Sequence, residues 1–80
     1  MNREMRMPDL STTGSPVKVI RWLVRVGEAV RRGQPLLEVE TDKALMDVES
    51  TVTGTLKEQT VAAQEEVPAG RVIAVLETAG

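Results

Sequence analysis

The sequence repeats itself. Shifting the chain by 37 residues lays GEAVRRGQPLLEVET (Gly27–Thr41) over QEEVPAGRVIAVLET (Gln64–Thr78) without a gap. Glu28 then meets Glu65, Val30 meets Val67, Gly33 meets Gly70, Glu40 meets Glu77 and Thr41 meets Thr78. Upstream, Val24 meets Val61, and Val19/Leu56, Leu36/Ile73 and Val39/Leu76 match in character. This one register restricts the fold severely. Two similar units, each too small to bury its own apolar face, must cover one another about a pseudo-dyad. With 80 residues there is room for one such domain and not two.

Within each unit the apolar residues alternate. In PLLEVET, Leu37, Val39 and Thr41 fall on one side and Leu36, Glu38 and Glu40 on the other. ALMDVES alternates likewise, with Ala44, Met46 and Val48 on its apolar side. Val72–Leu76 reads as a short buried strand; the alternation of Val17–Val24 is imperfect and also fits a helical turn, but a short β-branched run bounded by Ser15-Pro16 and Gly27 favours strand. Turn signals recur at Gly14-Ser15-Pro16, Gly27, Gly33, Gly54, Pro68 and Gly70. Short strands at this spacing predict an all-β sandwich or barrel.

Few residues can do chemistry. There is no cysteine and no histidine, so disulfides, thiolate metal sites, zinc and haem ligation and most catalytic triads are excluded. Net charge is −2, and Trp22 is the single aromatic residue, which argues against nucleic acid as a partner. No apolar run approaches the ~18 residues of a membrane span. The charged opening MNREMRM does not read as a signal peptide.

One lysine stands out in EVETDKALMDVES (Glu38–Ser50). If Asp42-Lys43 is a two-residue hairpin loop, Thr41 faces Ala44, Val39 faces Met46 and Leu37 faces Val48. That register gathers the apolar residues on one face, with Met46 in the core. A two-residue loop prefers a type I′ turn, with φ > 0 at both positions. Lys43 would adopt it at a cost of roughly 1–2 kcal/mol, where glycine has none. The repeat has no copy of this lysine, since the equivalent positions are Ala79-Gly80. A lysine on a loop is usually just solvated, so on these grounds alone function and simple solubility stand level.

The motif ETDKA and its surroundings resemble the lipoyl domains of 2-oxo acid dehydrogenase complexes, the swinging-arm carriers of the acyltransferase component. The resemblance runs from MPDLS (Met7–Ser11), like the family's opening strand, through Ile20–Ala44 and Gly54 to Val67–Glu77. It implies a flattened β-barrel or sandwich of two four-stranded antiparallel sheets with quasi-twofold symmetry, the biotinyl/lipoyl-carrier type. It implies one carrier domain over residues 1–80, with flexible ends at 1–4 and 79–80. It also implies lipoate in amide linkage on Lys43, presented for modification by Glu40, Asp42, Ala44, Gly27 and Gly54. The implied partners are a lipoate-attaching enzyme, a thiamin-diphosphate-dependent decarboxylase, an acyltransferase catalytic domain and dihydrolipoamide dehydrogenase. The domain itself is expected to be a non-catalytic monomer, in the bacterial cytoplasm in preference to the mitochondrial matrix.

Three departures from the family pattern stand out. STTGSP (Ser11–Pro16) replaces a more usual Glu/Gly-rich loop. Gln64 stands where the first unit has Gly27, which predicts a rearranged turn. The proline common near Glu49 or Thr51 is missing. Biotin carriers of carboxylases share the fold, but their lysine lies between methionines, and here its neighbours are Asp42 and Ala44. A biotinyl carrier and an unmodified interaction module are the alternatives.

Overall fold

In the computed structural model, which describes residues 1–10 and 14–79, every helix or strand element is a strand. The order is β1 (Asn2–Arg6), β2 (Val17–Trp22), β3 (Ala29–Val30), β4 (Pro35–Glu40), β5 (Leu45–Glu49), β6 (Gly54–Gln59), β7 (Glu66–Val67) and β8 (Val72–Glu77). They form two four-stranded antiparallel sheets, ordered β1-β8-β6-β3 and β5-β4-β2-β7. The expected pair of sheets is present as a sandwich, and the sheets are not closed into a barrel. Ser11–Thr13, in the loop replacing the family's usual one, and Gly80 lie outside the described residues.

The repeat survives at the level of single hydrogen bonds. Gly27 N–H donates to Leu56 C=O at 2.7 Å, and Gln64 N–H to Val19 C=O at 2.6 Å. The return bonds, Leu56 N–H to Glu28 C=O and Val19 N–H to Glu65 C=O, are 3.0 and 2.8 Å. Two side chains reciprocate as well: Trp22 Nε1 donates to Val61 C=O and Gln59 Nε2 to Val24 C=O, both at 3.0 Å. In every case one bond maps onto the other by the 37-residue shift. Trp22 is half-buried and packs on the core.

Two expectations are corrected here. The turn at Gln64 is not rearranged. Gln64 takes φ 73°, close to the 93° of Gly27, so the fold imposes the left-handed conformation even on a side chain that disfavours it. Strict alternation also fails in β4. Leu36 and Leu37 are both fully buried, because the β4–β5 pairing slips between Pro35 and Leu37. Such a bulge turns two successive side chains to the same face. The second unit slips at the same place, opposite Ile73, and there Ile73 and Ala74 are both buried. β4 and β8 consequently share one burial pattern.

The core consists of matched pairs. Val19/Leu56, Val30/Val67, Leu36/Ile73 and Val39/Leu76 are each no more than 1% exposed. Burying each such side chain contributes about 1.5–3 kcal/mol. This aliphatic layer is what holds an 80-residue chain together without a disulfide.

The opening strand lies at Asn2–Arg6, before the expected Met7–Ser11. Residues expected in a flexible end, Asn2 to Glu4, pair with Glu77 to Val75. Of its five side chains only Met5 is buried. Met7 is buried too, and binds through its backbone to Arg71 and Gly70, but it follows the strand.

Candidate functional site: a lysine on a hydroxyl-stapled turn

The hairpin register is the one the apolar pattern requires. Val39 pairs with Met46, Leu37 with Val48, Glu38 with Asp47 and Glu40 with Leu45. Asp42 and Lys43 form the turn between β4 and β5. Leu37, Val39 and Val48 are buried as expected, but Met46 is 40% exposed. β5 is an edge strand whose inner face loses its cover toward the hairpin tip: Val48 is 2% exposed, and Met46, two residues nearer the tip, 40%. Met46 is therefore a shoulder of the tip and not a core residue.

The expected strained turn is absent. Among the described residues other than glycine, only Gln64 has a positive φ, so neither Asp42 nor Lys43 is left-handed. The Thr41 side chain supplies a different closure. Its Oγ1 accepts from Lys43 N–H at 3.2 Å and from Ala44 N–H at 3.1 Å. It also donates to Ala44 C=O at 3.1 Å, beside the Thr41 N–H to Ala44 C=O backbone bond of 2.9 Å. A threonine hydroxyl bonded to amides two and three residues ahead mimics a backbone turn, with no call for φ > 0. Sequence reasoning missed this role and treated Thr41 only as an apolar-face residue. The threonine immediately before an expected two-residue loop was the signal.

The chain has three lysines, and the fold treats them differently. Lys18 is a half-buried residue of β2. Lys57 lies in β6, where its Nζ is 3.5 Å from Asn2 Oδ1 and 4.0 Å from Glu77. Lys43 is exposed on a turn, and no ion pair among the described residues reaches its Nζ. Of the three lysines it alone lies outside a strand.

Of the other candidate residues, the structure gathers Glu40, Asp42 and Ala44 around Lys43. Glu40 ends β4 and is exposed; Asp42 and Ala44 flank the lysine on the turn. The two glycines make their contacts elsewhere. Gly27 shapes the loop after β2 and binds β6 through Leu56. Gly54 begins β6 packed so closely on Glu77 and Thr78 that an added Cβ would run into the Glu77 carbonyl. Nearby, Arg21 pairs with Glu38 at 3.4 Å, which relieves the like-charge pairing of Glu38 with Asp47.

The two equivalent sheets thus form a small sandwich with Lys43 exposed on the turn between β4 and β5. The Biotin_lipoyl family model, described as "Biotin-requiring enzyme", matches residues 3–76, and the chain belongs to this family. It is 41% identical over 81 residues to the dihydrolipoyllysine-residue acetyltransferase component of the pyruvate dehydrogenase complex of Zymomonas mobilis. That match takes in 100% of this chain and 18% of the relative. It is 39% identical over 74 residues to the chloroplastic acetyltransferase component 4 of Arabidopsis thaliana, covering 92% of this chain and 15% of the relative. The chain thus spans less than a fifth of the length of these relatives. The lipoyl domain of the Azotobacter vinelandii 2-oxoglutarate dehydrogenase complex superimposes with a TM-score of 0.76 at 26% identity. There the alignment covers 96% of this chain and 98% of that domain.

Proposed function

We propose that the chain is a lipoyl carrier domain whose Lys43, in amide linkage to lipoate, is the root of a swinging arm. The observation that carries this reading is the exposed amine on a turn closed by Thr41 (Oγ1 to Lys43 N–H, 3.2 Å), in a sandwich of this family. Attachment forms one amide bond. The Lys43 amine loses its proton to a base and displaces the leaving group of lipoate already activated by the attaching enzyme. Glu40, Asp42 and Ala44 present the lysine to that enzyme directly. Gly27 and Gly54 act at a distance, by letting the loops and β6 pack as they do.

Bound lipoate would supply dithiol–disulfide chemistry, which accepts an acyl group with two electrons and later releases both. The domain's own part is to hold the arm's root clear of the sheets, keep it near its partners, and catalyse nothing. Tethering raises its effective concentration at each active site to the order of millimolar. In the complex we infer, the partners are a thiamin-diphosphate-dependent decarboxylase, the acyltransferase catalytic domain and dihydrolipoamide dehydrogenase. The sequence relatives favour pyruvate as the 2-oxo acid and acetyl as the cargo, with the domain acting as a monomeric unit in the cytoplasm of a bacterium. No helix among the described residues is long and apolar enough to cross a membrane.

Charge adds a second role. Glu38 to Glu49 contains five carboxylates and one lysine, so amide formation at Lys43 takes this stretch from −4 to −5. We infer that this acidic tip steers the arm toward basic surfaces around the partners' channels. The rate of reductive acylation should then fall as ionic strength rises; a rate independent of salt contradicts the steering. The function itself is tested by intact mass of the chain from a host supplied with both lipoate and biotin. A lipoyl increment is expected. A biotinyl increment would make the chain a carboxylase carrier, and no increment an unmodified interaction module.

A further inference from the structure

We propose that Thr41 is a positioning residue for the modification of Lys43, its hydroxyl fixing the direction in which the lysine leaves the turn. The proposal rests on Lys43 being the attachment site.

The geometry behind it is specific. One hydroxyl engages both backbone amides on the far side of the turn and the Ala44 carbonyl, at 3.1–3.2 Å. Its single proton goes to the carbonyl, and its lone pairs take the two amides, so its hydrogen-bonding capacity is fully used. Lys43 N–H is thereby tied to the last residue before the turn. Its Cα–Cβ bond, which sets where the long side chain starts, is held by the sheet rather than left to a solvated loop. A modifying enzyme must bring Nζ to within about 3–3.5 Å of an activated carbonyl, and small errors at the root of a reacting group cost large factors in rate.

The pseudo-dyad provides an internal control. Thr78 occupies the position of Thr41 in the other sheet. Its N–H donates to Met1 C=O at 2.8 Å and its Oγ1 to the same carbonyl at 3.2 Å. Thr41 and Ala44 make the same two bonds at 2.9 and 3.1 Å. Deleting either hydroxyl removes a similar contact from a similar strand end, but only Thr41 holds a lysine.

The experiment compares wild type, Thr41→Val, Thr41→Ser and Thr78→Val as substrates of a lipoate-attaching enzyme with free lipoate and ATP. Thermal melts are recorded on each. Thr41→Val should lower kcat/KM about ten- to a hundredfold, with the loss in kcat, because the surface that docks the enzyme is unchanged. Thr41→Ser, which keeps the hydroxyl, and Thr78→Val should both stay within about threefold of wild type. The proposal is overturned if folded Thr41→Val is modified at the wild-type rate, or if Thr78→Val falls as far as Thr41→Val. Hydrogen exchange on wild type reads the same claim without any variant. The Lys43 and Ala44 amides should be protected despite their exposure, and exchange at free-peptide rates overturns the proposal. If wild type gains no lipoyl group on Lys43 while those amides are protected, the carrier reading fails and the staple stands.

Discussion

The turn at Asp42-Lys43 and the place where Thr78 meets Met1 are two versions of one arrangement. In each, the threonine that follows a central strand bonds through N–H and hydroxyl to the carbonyl just before the neighbouring edge strand, at 2.8–3.2 Å. β4 and β8 lead into them with the same burial pattern, and β5 and β1 lead away with one buried side chain each. They differ in what joins the strands. The first has two residues, one of them an exposed lysine with its backbone stapled. The second has the Met1 amine donating to Thr78 C=O at 2.8 Å. The shared part of the pattern thus serves folding, and the unshared part is where the proposed attachment site lies.

Equivalence of the two units has energetic consequences. The largest concerns the matched core. Leu36→Ala and Ile73→Ala should each lose about 2–5 kcal/mol, and should do so to a similar extent, by urea denaturation. A domain with only ~5–15 kcal/mol in hand could unfold, so Leu36→Val and Ile73→Val serve as milder probes, at about 0.5–1.5 kcal/mol each. A large loss at one position with none at the other would mean that the two units are alike in shape but not in energetic weight.

A smaller effect tests the left-handed turns. Gln64→Gly should stabilise the domain by up to about 1 kcal/mol, since glycine carries no Cβ penalty there but loses more chain entropy on folding. Gly27→Gln should cost roughly 1–2 kcal/mol, the penalty the second unit already bears at Gln64. Opposite signs in the melting temperatures support equivalence of the two loops. Equal signs would show that the loops differ in something the backbone angles do not capture.

Much of this was legible in the sequence because the 37-residue shift and the alternation agree. The strands at β4 and β5 and their register follow from PLLEVE and LMDVE read with period two, β8 from the short apolar run VIAVL, and β2 from a β-branched run shorter than a typical helix. β3 and β7 were not legible, since two residues carry no period. β1 and β6 were obscured by charge and polarity, with one buried side chain apiece, Met5 and Leu56. Leu36 was assigned to the wrong face because bulges break alternation without leaving a mark in composition. Met46 was misplaced for another reason: sequence gives the face of an edge strand but not how far toward the tip that face stays covered. At the site, Lys43 was singled out by its absence from the repeat, and its proposed role by family resemblance. The role of Thr41 was hidden because a threonine in a strand reads first as β propensity, and only a three-dimensional turn reveals where its hydroxyl points.

The central claim is that this turn alone carries the cofactor. Its most direct test is peptide mapping by mass spectrometry after incubation with a lipoate-attaching enzyme, on wild type, Lys43→Arg, Lys18→Arg and Lys57→Arg. The account predicts one lipoyl increment on Lys43 in wild type and in the Lys18 and Lys57 variants, and none in Lys43→Arg. A lipoyl increment in Lys43→Arg, or one mapped to Lys18 or Lys57, would contradict it.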